Sequence, residues 1–82
     1  MYFNSMTRGK TDKTKGGLIT VNHDVDLWEK SYEEDRDCEV IALIKKGDVG
    51  IILEPYRHEC LVFFAKGKGW MSRSNIFEII FQ

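Results

Sequence analysis

Lys45-Lys46-Gly47-Asp48-Val49-Gly50-Ile51-Ile52-Leu53-Glu54, then Pro55-Tyr56-Arg57-His58, then Glu59-Cys60-Leu61-Val62-Phe63-Phe64-Ala65: this stretch decides how the chain folds. Two runs rich in β-branched and aromatic residues flank a short turn, and connections of this length join antiparallel strands, because a parallel crossover needs a dozen residues or more. Gly50 stands inside the first run, where a glycine costs stability unless the strand bends sharply or another backbone comes close. A tightly curled sheet gives it that reason. The second run is the more apolar and is expected to be a central strand.

Working outward toward the C-terminus, Lys66-Gly67-Lys68-Gly69 reads as a tight hairpin with glycines supplying positive φ. Trp70-Met71-Ser72-Arg73 leaves it as a strand, Ser74-Asn75 marks a turn or short helical element, and Ile76 to Phe81 forms the last strand. That final segment is an adhesive edge unless it is paired within a closed sheet.

Working outward toward the N-terminus, Val40 to Ile44 is expected to be a buried run. Before it, Glu29 to Glu39 holds six acids, Glu29, Glu33, Glu34, Asp35, Asp37 and Glu39, against two bases, Lys30 and Arg36. No apolar period of 3.6 residues runs through it, so it reads as an exposed loop with one helical turn at most. Val25-Asp26-Leu27-Trp28 is a short strand that sets Val25, Leu27 or Trp28 against the core, and Leu18 to Val21 is the first strand of the series. The expectation is an all-β fold, a small antiparallel barrel of five to six strands over residues 18–82, preceded by a flexible basic arm over residues 1–17 that Gly16-Gly17 closes.

Charge divides along the same boundary. Residues 1–16 carry four bases and one acid, 4 − 1 = +3, and the rest of the chain carries 8 bases and 12 acids, 8 − 12 = −4. Such a tail steers toward phosphates or an acidic partner, or is a solvated leader. The longest apolar runs, such as Leu61 to Ala65, fall far short of the roughly 20 residues of a membrane helix, and Met1 to Lys15 lacks the apolar stretch of a secretion signal. A cytoplasmic protein is expected. Cys38 and Cys60 are too few for a disulfide framework and are expected to be buried thiols. His58 and Cys60 form a His-x-Cys element without a second ligand pair, so neither metal nor cofactor is expected. No nucleophile motif or phosphate-cradling loop is present, and no enzyme is expected.

The segment Lys45 to Ile52 resembles the strand entry after the long first loop of Src-homology-3-like domains, and Gly69-Trp70-Met71 with Ser74-Asn75-Ile76-Phe77-Glu78-Ile79 resembles their closing hairpin, short helical turn and last strand. The resemblance spans about residues 18–81 and extends to KOW-type barrels. It implies that Glu29 to Glu39 is the long acidic loop, Pro55 to His58 the second loop and Lys66 to Gly69 the distal hairpin. Proline-binding members carry a tryptophan pair after the second loop and a proline before the closing asparagine; here those places read Leu61 to Phe64 and Met71 to Ile76. The proline-binding activity is therefore not carried over. In length and layout the chain is also similar to short proteins encoded by tailed bacteriophages, which implies an accessory or virion component located in the virion or host cytoplasm.

Two surfaces follow. Trp28, Tyr32, Glu33, Glu34, Asp35, Tyr56 and Trp70 combine aromatic and acidic side chains suited to a basic protein segment, and a protein-interaction or assembly module, including self-assembly, is the first expectation. Trp28 and Trp70 also suit roles in covering the core. The alternative is nucleic-acid binding through Lys10, Lys13, Lys15, Lys66, Lys68 and Arg73, with Lys66 to Arg73 forming one rim around Trp70, where charge and stacking would hold a single strand. A calcium site in the acidic loop lacks the required glycine and spacing.

Overall fold

A computed structural model of the chain describes residues 3–6, 15–31 and 37–81. The fold is all-β. Its strands are β1 (Phe3–Met6), β2 (Leu18–Thr20), β3 (Val25–Trp28), β4 (Val40–Ile44), β5 (Val49–Tyr56), β6 (Glu59–Phe64), β7 (Gly67–Ser72) and β8 (Phe77–Phe81), with one 3-10 turn at Arg73–Asn75 between the last two. They make a single sheet in the order β1-β8-β2-β5-β6-β7-β3-β4, and every pairing is antiparallel. Among the described residues, eight strands stand where five to six were expected. Seven of them begin at Leu18 or later; the eighth, β1, lies within the expected arm and pairs with β8.

Ile19, Leu27, Ile44, Ile52, Val62, Phe64, Met71 and Ile76 gather into one buried cluster, each no more than 2% exposed. These residues come from β2 to β7 and from the link into β8. One cluster can draw on strands spread across the sheet only if the sheet curls around it. Gly50 and Gly69 permit the curl. A Cβ at Gly50 would lie 2.6 Å from the Phe63 carbonyl oxygen, and one at Gly69 would lie 2.5 Å from the Trp28 carbonyl oxygen. Gly50 thus serves close backbone approach, one of the two reasons its position suggested. Gly69 serves the same purpose and not a turn: the β6–β7 connection is only Ala65-Lys66, and Gly67 and Gly69 both belong to β7. The β5–β6 turn is likewise shorter than expected. Pro55 and Tyr56 stay in β5, and Arg57 takes the positive φ of 51° that lets the chain reverse.

The expected buried run at Val40 to Ile44 is corrected. Ile44 alone is buried, whereas Val40, Ile41 and Leu43 are 42–45% exposed. The reason is topological: β4 ends the sheet and has a strand neighbour, β3, on one side only. A register shift between Leu27 and Trp28 leaves Ile41 as the extra residue of β4 and breaks the in-and-out alternation beyond Ala42.

Candidate functional site

Three parts of the chain converge at the end of the sheet away from the β6–β7 turn. The link between β2 and β3 brings His23 and Asp24, and β3 adds Val25, Asp26 and Trp28. Facing them are Glu59 at the start of β6, Ser72 at the end of β7 and Asn75 in the 3-10 turn. Together they line a groove of about 440 Å³.

Local sequence explains most of this placement. Alternation in β3 sends Val25 and Leu27 inward and leaves Asp26 and Trp28 on the other face. The Asp24 carboxylate accepts a hydrogen bond from the Lys46 backbone N–H at 3.0 Å, and its other oxygen lies 3.7 Å from Lys45 Nζ, which anchors the β2–β3 link to the turn before β5. Glu59 is different. It is 8% exposed, and its carboxylate accepts a hydrogen bond from the buried hydroxyl of Ser31, which follows β3 in the chain. The groove therefore presents three carboxylates and an indole, a combination that attracts a cationic side chain both by charge and through the ring face.

Of the aromatic residues expected at an interaction surface, the structure joins three. Trp28 is the cross-strand partner of Trp70, and the Trp70 ring meets that of Tyr56 edge to face at a centroid distance of 6.1 Å. The Arg57 guanidinium lies 5.4 Å from the Tyr56 ring centre. Trp70 is half-buried on the outer side of β7, opposite Leu61, and does not lie inside the core. Tyr32, Glu33, Glu34 and Asp35 lie outside the described residues. Sequence reasoning missed Asp24, Asp26 and Glu59. The apolar-acidic alternation of β3 is a signal that could have found Asp26, but nothing adjacent to Glu59 announces its burial.

The basic residues do not gather in the same way. Lys66 and Arg73 stand at opposite ends of β7, about 20 Å apart by strand rise. Lys66 Nζ pairs with Asp48 at 3.0 Å, Lys15 Nζ with Glu54 at 3.4 Å, and Arg73 Nε donates to the Arg57 carbonyl at 2.9 Å. Lys68 is exposed on β7, and Lys10 and Lys13 lie outside the described residues. In the His-x-Cys element Cys60 is fully buried while His58 is exposed. Among the described residues no cluster of three or more metal-ligating side chains occurs, and no helix is long and apolar enough to cross a membrane.

Fold and site together define a small antiparallel all-β domain with an acidic groove that Trp28 also lines. Compared with known proteins, the chain matches no family model, no curated protein and no solved structure.

Proposed function

We propose that this chain is a non-catalytic protein-interaction module built on a Src-homology-3-like barrel, and that its groove receives a basic segment of a partner protein. The fold reading is supported by features that the sequence resemblance implies: a long connection at 29–39, here between β3 and β4, two tight hairpins joining β5, β6 and β7, a 3-10 turn and a last strand. The binding reading is carried by one observation, the convergence of Asp24, Asp26 and Glu59 with Trp28 on one groove. A lysine or arginine seated there gains charge attraction from the carboxylates and a cation–π contact with the indole.

The test is a fluorescence titration with a peptide rich in arginine and lysine, a charge-reversed peptide and a labelled single-stranded oligonucleotide. The basic peptide is expected to bind, with an affinity that falls as salt rises, and D24K/D26K is expected to weaken it about tenfold or more while the circular dichroism spectrum is retained. Binding unaffected by D24K/D26K, or binding of the oligonucleotide alone, overturns the reading.

A further inference from the structure

The outer face of β2, β5, β6 and β7 departs from the rule that a solvated antiparallel sheet alternates apolar inward with polar outward. Directly opposed residues share a face. The register Leu18↔Ile51↔Phe63↔Lys68 therefore forms one row across this outer face, and Glu54↔Leu61↔Trp70 forms the next. The inward positions between these rows, Val62 and Gly69, already belong to the buried interior. Leu18 and Phe63 nevertheless stand 44% and 48% exposed, and Ile51, Leu61 and Trp70 are half-buried beside them. A contiguous apolar surface of this kind marks an interface.

Its charges say what covers it. The two rows hold one acid and one base, and these occupy opposite corners: Glu54 at the β5 end of one row, Lys68 at the β7 end of the other. A partner of a single charge sign meets repulsion at one corner. A second copy of this chain does not. Turned about a twofold axis that lies in the interface, perpendicular to the line from Glu54 to Lys68, the second copy sets its Lys68 over Glu54 and its Glu54 over Lys68, and the apolar rows meet between them. Such a contact is isologous and closes on itself. Glu54 also pairs with Lys15 at 3.4 Å, but both side chains are more than half exposed, a setting in which an ion pair holds weakly and yields to a competitor.

We infer that this face is the interface of a symmetric homodimer. It uses different residues from the groove, so failure of one reading leaves the other standing. The experiment is sedimentation equilibrium of the full chain from micromolar to millimolar concentration, on the native protein and on F63S, K68E and E54K/K68E, each checked for an unchanged circular dichroism spectrum. The native chain is expected to pass from monomer to dimer mass. F63S is expected to stay monomeric, K68E to associate about tenfold more weakly, and the charge-swapped double variant to recover association, because both corner pairs are then restored with reversed sign. A native chain that stays monomeric throughout, a dimer that survives F63S, or a K68E defect that the double variant fails to repair overturns the inference.

Discussion

Lys66 Nζ lies 3.0 Å from Asp48 Oδ2 and 3.3 Å from the carbonyl oxygen of Leu43, so one ammonium group ties the β6–β7 turn to the entry of β5 and to β4. The same Asp48 carboxylate accepts a hydrogen bond from the Lys45 backbone N–H at 3.0 Å, which closes the turn before β5.

Asp48 makes this tie pH-dependent. The Lys45 backbone hydrogen bond, followed by the Lys66 hydrogen bond, holds its carboxyl below the ordinary aspartate value of 3.8. A carboxyl whose folded pKa is depressed contributes stability that is fully present above its unfolded pKa and is lost as pH falls through the folded one. Asp48→Asn is therefore expected to be less stable than the native chain at neutral pH, with the gap closing below about pH 4. Urea melts of both proteins across that range check it; a gap that widens in acid contradicts the assignment.

Glycine at 50 and 69 is demanded by close approach. Gly50→Ala sets a methyl group against the Phe63 carbonyl oxygen and the Phe64 ring, and Gly69→Ala sets one against the Trp28 carbonyl oxygen and Leu27. Backbone oxygens cannot swing aside as the end of a flexible side chain can. Each substitution is expected to cost about 1–3 kcal/mol or more, measured by denaturant unfolding, and a neutral result at either site would mean that the backbones do not approach so closely there.

Neighbouring residues of β4 should respond very differently. Ile44 is fully buried and Leu43 is 42% exposed. Ile44→Ala is expected to cost about 2–5 kcal/mol through lost burial and a cavity, while Leu43→Ala should change stability by only about 0.5 kcal/mol. Similar losses at both positions would restore the buried run that the sequence suggests.

Ser31→Ala removes the buried hydroxyl that donates to Glu59. A hydrogen bond to a charged group is worth about 1.5–3 kcal/mol, and a loss of that order is expected in thermal or denaturant melts. A substitution without effect would show that the groove carboxylate is held by other means.

The framework was legible because local chemistry repeats it. The runs at Val49 to Glu54 and Glu59 to Phe64, with a turn too short for anything but reversal, could make only an antiparallel pair. Gly50 inside the first run pointed to a sharp bend or a close backbone, and the Phe63 carbonyl is that backbone. Val40 to Ile44 misled because five apolar residues read alike in a central strand and at the end of a sheet; the difference lies in what packs on the second side. The groove was legible only in part. Trp28 was visible as an aromatic beside acids, but buried Glu59 accepts a hydrogen bond from Ser31, a residue 28 positions away.

Residue order by itself determined that this chain is built from short antiparallel strands and where most of them begin, since strand propensity, apolar runs and turn residues act over a few neighbours at a time. Tertiary structure alone decided which apolar residues face inward, which strand ends the sheet, and which carboxylates share a groove with Trp28. Those outcomes depend on contacts between residues far apart in the chain, and no local pattern encodes the curl that brings them together.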